Sequence, residues 1–316
     1  MKYQFRYMHA ISAIALGVSF LASAQVAQDH PELCGKPGTS IPLPPGLSII
    51  SDPSEGVAKL RVEGSTSAIM FPGILGEVQQ VCRISQDKLI VFGLATPALY
   101  NIEIVRPRDG SLLDSFYGFN PVMAPNQHWL VRRKFYPAQA TAAEEYLIYD
   151  LTQDWAHNRS SGVSRSDMDL VGKVIYPVVR GSEPYYSTNP PPQQAHIFRS
   201  DSFYWSPDSQ ALIFADSVMD KLSIVLVTID QNETNAHVHS VSDAEACNAS
   251  PGALPLMLSS AEISLPINEH REVRLTFKTG NSPCHKMLVL QSEDFTPARP
   301  EVHVAPHGKP STPIDR

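Results

Sequence analysis

Apolar positions in this chain fall into short runs broken by turn residues. No stretch past the N-terminal segment repeats them at helical spacing. The clearest stretch is Phe203 to Asp230. An aromatic approach, Phe203-Tyr204-Trp205, enters the turn Ser206-Pro207-Asp208-Ser209. A run follows in which Ala211, Ile213 and Ala215 alternate with Leu212, Phe214 and Asp216. Pro207 presets φ for the second turn position, and the Asp208 carboxylate is placed to accept hydrogen bonds from nearby backbone N–H groups. After a polar connection from Val218 to Lys221, Leu222 to Ile229 supplies a run rich in β-branched residues that ends at Asp230-Gln231-Asn232. The predicted element is a three-stranded antiparallel meander.

The same plan recurs upstream. Leu47 to Ile50 and Ala58 to Val62 flank the turn Ser51-Asp52-Pro53-Ser54, and Ser67 to Phe71 is a further short run. Val81 to Ile84 leads through Ser85-Gln86-Asp87 to Lys88 to Gly93. Leu99 to Val105 then closes at Arg108-Asp109-Gly110, a strong hairpin signal. Phe116 to Leu151 repeats the pattern around Ala124-Pro125-Asn126. Aligned on Gln86, Pro125 and Pro207, the turns are 39 and 82 residues apart. The second spacing is close to twice the first, and about 40 residues is the period of a repeat-built β protein. This predicts a skipped unit within 152 to 200, where Gly172 to Val179 reads as a strand and Gly181 to Gln194 as a long irregular loop. Downstream, His237 to Val241 reads as an edge strand and Ala244 to Pro255 as a loop. Glu272 to Lys278 and Lys286 to Gln291 read as a final pair around Thr279-Gly280-Asn281.

Trp205-Ser206-Pro207-Asp208, with Ser209 where glycine is usual, resembles the turn of one blade of a TolB-like or WD40-like β-propeller. The resemblance covers Val81 to Leu151 and Phe203 to Asp230 well and the rest loosely. It implies an all-β protein, a β-propeller-like array of antiparallel three- to four-stranded sheets. Asp87, Pro125, Asn126, Trp205, Pro207 and Asp208 would then be blade-turn residues, with Trp205 packed between blades. Five to seven sheets fit the length, and a β-sandwich pair is the alternative architecture.

The N-terminus adds a compartment. Lys2 and Arg6 precede the apolar run Ala10 to Leu21, which ends in Ala22-Ser23-Ala24. That pattern reads as a secretory signal peptide over 1–24, because the run is shorter than the roughly 20 residues of a spanning helix. No cysteine follows the cut to carry a lipid anchor, and no later run is long and apolar enough to insert in a membrane. The expected organisation is a β domain over 25–295 and, over 296–316, a flexible proline-rich tail or a final extended strand, in a periplasmic or secreted protein. Removing the leader takes away two cations and no acids, so the mature chain is more acidic than the net -7 of the whole. An acidic chain with no basic cluster argues against nucleic acid as a partner. Cys34, Cys82, Cys247 and Cys284 are an even set in an exported chain, so disulfides are expected, with three possible connectivities. Cys34 with Cys82 and Cys247 with Cys284 is favoured because each pair lies in one half of the chain. Their spacing is not that of a zinc site.

Candidate chemistry is sparse. G-x-S-x-G, H-E-x-x-H, the P-loop and the dinucleotide fingerprint are absent; Gly162-Val163-Ser164-Arg165-Ser166 comes nearest to the first. His237 and His239 share one face of a predicted strand but have no third ligand in adjacent sequence, and His303 and His307 fall in the tail. No metal or cofactor is expected. The loop from Pro184 to His196, with Tyr185, Tyr186, Asn189 and His196, is the candidate contact surface for another envelope or secreted protein, since tyrosine and proline give contact area at low entropic cost. The function expected is non-catalytic binding or scaffolding. The alternative is a carbohydrate-active hydrolase using Asp150, Asp216 or Asp230 around a channel.

Overall fold

The computed structural model describes residues 34–35, 46–52, 57–62, 68–71, 78–96, 99–134, 145–154, 158, 171–177, 196–218, 221–230, 233–242, 256–279 and 287–299. Nearly all of this is antiparallel β-structure, with one 3-10 turn at Ser292–Asp294. The chain enters as β1 (Cys34–Gly35) and forms a three-stranded meander from β2 (Leu47–Asp52), β3 (Val57–Val62) and β4 (Ala68–Phe71). An eight-stranded sheet follows. Its strands β5 (Val78–Ser85), β6 (Lys88–Leu94), β7 (Leu99–Val105), β8 (Leu112–Met123), β9 (Trp129–Arg133), β10 (Tyr146–Asp150) and β11 (Lys173–Tyr176) lie in chain order, with β1 added beside β5.

The third sheet has six strands. β12 (His196–Phe198) and β13 (Tyr204–Trp205) pair with different parts of β14 (Ala211–Val218), which is followed by β15 (Lys221–Asp230) and β16 (Glu233–Ser240). The last sheet is β17 (Leu256–Ile263), β18 (Glu272–Thr279) and β19 (Met287–Gln291). β20 (Thr296–Pro297) then returns to pair with β16.

Apart from β1, the eight-stranded sheet is two four-stranded units, β5–β8 and β8–β11, sharing one bent strand. The first part of β8 pairs with β7, whereas Phe119, Val122 and Met123 pair with β9. Register breaks between Phe119 and Val122, where Asn120 has a φ of 47° and Pro121 has no N–H to give the ladder. β8 therefore closes one unit and opens the next, and among the described residues five units succeed one another along the chain.

One apolar cluster joins each unit to its successor. Ile69 of β4 meets Val81, Leu89 and Val91. Ile90, Ile102 and Phe116 meet Leu130, Tyr149 and Leu151. Tyr146 and Ile148 meet Phe203, Phe214 and Val225. Ile213, Ile224 and Leu226 meet Leu258, Leu275 and Phe277. A sheet covered on both faces needs apolar residues on both, which is why β6, β10 and β14 read as continuous apolar runs. The all-β, propeller-like array thus follows from strands buried on two sides.

Close approach fixes one glycine. Gly172 has a φ of 101°, and a Cβ there would lie 2.7 Å from the Ile148 carbonyl oxygen of β10. Only glycine combines that backbone with that contact.

Two expectations are corrected. The spacing of 82 does not span a skipped unit. The Asn126 N–H donates to Ser209 Oγ at 2.9 Å, so the turns at 124–128 and 206–210 belong to neighbouring units. The strand expected at Gly172 to Val179 is β11, which completes the sheet of β10. Three strands also escaped the reading: β1, β12 and β17. β17 shows why, because only Leu258 and Ile263 are buried in it and its register shifts between Leu258 and Ser260. β16 begins at Glu233, ahead of the expected His237.

The boundary drawn at 295 falls just before β20, and the Ala298 N–H donates to Ala236 at 2.9 Å. The leader, residues 300–316, Cys247 and Cys284 lie outside the described residues. Cys34 and Cys82 face each other across β1 and β5 and form a disulfide.

Candidate functional site

Of the residues expected in turns, Asn126, Trp205 and Asp208 hold one unit to the next. In the turn at 206, the Ser206 N–H donates to Ala211 O at 2.8 Å, Ser209 N–H to Ser206 O at 2.9 Å, and Gln210 N–H to Asp208 Oδ1 at 3.1 Å. The turn at 124 repeats these bonds. Ala124 N–H donates to Trp129 O at 2.8 Å, Gln127 N–H to Ala124 O at 2.9 Å, and His128 N–H to Asn126 Oδ1 at 2.9 Å. Ser209 and Gln127 have φ of 61° and 57°, the left-handed conformation that makes glycine usual at this position. Trp205 packs against the cluster between the third and fourth units, and its indole N–H donates to Val122 O at 3.4 Å. Asp87 does not share this geometry. Ser85 pairs directly with Lys88, so that turn has two residues instead of four, and Asp87 contributes its N–H to Ser85 Oγ.

Asp208 also reaches the last unit. Arg271 Nη2 and Nη1 donate to its two carboxylate oxygens at 2.7 and 3.3 Å. Burial raises the Asp208 pKa, but hydrogen bonds from Arg271, the Ser206 hydroxyl and Gln210, with the charge of Arg271, outweigh it and leave the pKa below the usual value. A carboxyl depressed in the folded state contributes stability that is complete above its unfolded pKa and lost as pH falls through the folded one. Asp208→Asn is therefore expected to cost about 2 kcal/mol at neutral pH, the scale of a charged hydrogen bond. The deficit should shrink as pH falls below about 4, the unfolded carboxyl's range, and on through the lower folded pKa. Urea unfolding of both proteins across pH checks this, and a deficit that stays constant down to acid pH would refute it.

The three candidate acids do not converge on a channel. Asp216 is buried and accepts the Tyr146 hydroxyl at 2.6 Å on one oxygen, while His196 Nδ1 lies 2.5 Å from the other. Asp150 is buried at the end of β10, where its Oδ1 accepts the Thr152 N–H and hydroxyl and lies 3.1 Å from His128 Nε2. Asp230 is exposed at the β15–β16 turn, opposite Glu233. His196, expected on the contact surface, is instead 2% exposed, so it anchors β12 from within and has no area to offer a partner. Tyr185, Tyr186 and Asn189 lie outside the described residues. His239 Nδ1–H donates to the Asp294 carbonyl at 3.1 Å. No group of three potential metal ligands occurs among the described residues.

Two surface features went unread in the sequence. One is a cleft of about 500 Å³ between the second and third units, floored by Ile104 and Tyr149. Lys88 ties its two sides, donating from Nζ to Leu151 O at 2.6 Å and Gln153 O at 3.1 Å. Burial lowers the Lys88 pKa, opposed by the charges of Asp150 and Asp154. The other is the last sheet. Six large apolar side chains are exposed among the described residues, and four of them, Leu265, Ile267, Met287 and Val289, belong to this unit. β19 carries no charged residue and forms the margin of its sheet. Its alternation was legible as a strand, but not that its outer side lacks a described neighbour.

No protein-family model matches the chain, and no curated protein matches it. Similar solved structures include oligopeptidase B from Leishmania major, at 13% identity over 74% of this chain and 32% of that one, with a TM-score of 0.32. A post-proline cleaving enzyme from Rickettsia typhi matches at 9% identity over the same shares, also with a TM-score of 0.32. TolB from Acinetobacter baumannii matches at 9% identity over 77% of this chain and 65% of that one, with a TM-score of 0.22. The chain thus spans about a third of the two peptidases. Similarity this distant carries no function across.

Proposed function

We propose that this chain is an exported, non-catalytic binding protein of the cell envelope that engages a partner protein along the margin of its last sheet. The observation that carries the reading is the gathering of exposed apolar side chains on that unit, with Met287 62% and Val289 45% exposed on an uncharged edge strand. Natural edge strands are usually protected by lysine, proline or a covering segment. β19 has none of these among the described residues, and such an edge suits an added strand from a partner, which supplies backbone hydrogen bonds while alternate side chains fill the flanking apolar positions. Asp216 and Asp150 are engaged within the fold, which favours binding over sugar hydrolysis. The leader pattern and the Cys34–Cys82 disulfide fit an oxidising compartment.

The test is the double variant Met287→Lys, Val289→Lys. Both side chains are exposed, so the unfolding free energy should change by no more than about 0.5 kcal/mol per site. A photocrosslinker at Gln291 in the parent background is expected to join β19 to one protein of the envelope fraction, at a segment that mass spectrometry identifies as extended and aliphatic. The lysine variant should weaken binding to that purified protein at least tenfold. Equal binding by parent and variant, or crosslinks confined to other surfaces, would sink the proposal.

A further inference from the structure

We infer that the cleft between the second and third units is a binding site for a short peptide or amino acid carrying both a free ammonium and a free carboxylate. At about 500 Å³ it falls in the size range of small-molecule sites, and the half-buried Leu113, beside the nearly covered Ile104 and Tyr149, gives it an apolar patch for a small aliphatic group. The charges around it are balanced. Lys88, Arg106 and Arg108 line it together with Asp87, Asp114 and Asp154, so a chain that is acidic overall has a cleft with no net charge. A simple anion would meet acids, and a simple cation would meet guanidinium groups.

The charges are also distributed by element. Arg106 and Arg108 come from the β7–β8 hairpin, and Asp87 from the β5–β6 turn. Arg108 is 70% exposed and 3.7 Å from Asp109, a loose contact that leaves its planar fork able to receive a carboxylate. Arg106 is held by Ser111 Oγ at 3.0 Å and by Asp109 at 3.6 Å, which keeps it directed along the hairpin. The Asp87 side chain is exposed, and its backbone N–H is fixed on Ser85 Oγ. Lys88 is occupied with the carbonyls of Leu151 and Gln153, so it sets the width of the cleft instead of binding the ligand. A dipolar ligand would place its carboxylate toward the hairpin guanidinium groups, its ammonium toward Asp87, and a small side chain on the apolar patch. This site is independent of the β19 edge, and either could fail without the other.

The probe is trialanine with free termini, titrated by calorimetry into the full chain at low salt, beside its N-acetyl form, its C-terminal amide, the doubly blocked peptide and inorganic phosphate. Saturable binding of the free peptide is expected, weakened at least tenfold by blocking both ends. Arg108→Ala should weaken the free and acetylated peptides about threefold or more while leaving the amide unaffected. Asp87→Asn should do the same to the free peptide and the amide while leaving the acetylated form unaffected. Both positions are exposed, so folding is preserved. Absence of saturable binding at millimolar peptide, equal affinity for the doubly blocked form, or phosphate binding as tightly as the peptide would each overturn the assignment.

Discussion

Replacing Cys34 and Cys82 together by serine is expected to lower the unfolding free energy by about 4 kcal/mol, the chain-entropy value for a loop of this length. The two cysteines are 48 residues apart, and the loop they close contains β2, β3 and β4, the whole first unit. That unit has three strands, and Ile69 is its buried contribution to the cluster shared with the next. The covalent tie through β1 and β5 closes a loop around all three strands, so its removal acts on the attachment of this unit. Urea denaturation of parent and double variant measures the loss. Hydrogen exchange should show protection disappearing first in β2 to β4 of the variant, because a subunit of low local stability opens before the core. A loss below about 1 kcal/mol, or uniform loss of protection, would mean that the first unit is held by its packing.

Asp216→Ala is expected to cost about 2 to 6 kcal/mol, since it takes the acceptor from two buried hydrogen-bonding groups at roughly 1 to 3 kcal/mol each. The substitution deprives the buried His196 ring and the Tyr146 hydroxyl of the acceptor they share, at the seam where β10 meets β12 and β14. Asp216→Asn should cost less, since an amide oxygen still accepts from one of them. Thermal and urea unfolding of the two variants test the order. If Asp216→Ala left stability unchanged while abolishing a glycosidase activity of the parent, the carboxylate would be catalytic, and the assignment to the seam would fall.

Much of the fold was legible locally because strand and turn chemistry is local. The run from Ala211 to Asp216 and the Pro207-Asp208 turn predict β14 and its hairpin from residue types alone, and Pro125-Asn126 marks the same turn with the same bonds. Asp87 resembled them in composition only. A turn is defined by how many residues it leaves unpaired, and the pairing of Ser85 with Lys88 appears only once the strands are in register. Of the candidate contact residues, His196 shows the limit most clearly. A histidine beside a proline-rich loop reads as surface, and the partner that buries it lies 20 residues away on the next strand.

By itself, the sequence determined most of the segments that become strands and where most turns fall, and it favoured Cys82 as the partner of Cys34, because apolar runs, turn residues and cysteine spacing act within short stretches or within one half of the chain. Tertiary structure alone decided that β8 serves two units, that the turns at 124 and 206 are neighbours, that Asp216 is sequestered and that β19 and the cleft are left open to solvent. Burial and register are properties of what packs on a segment. Residues distant in sequence supply that packing, and no local pattern encodes them.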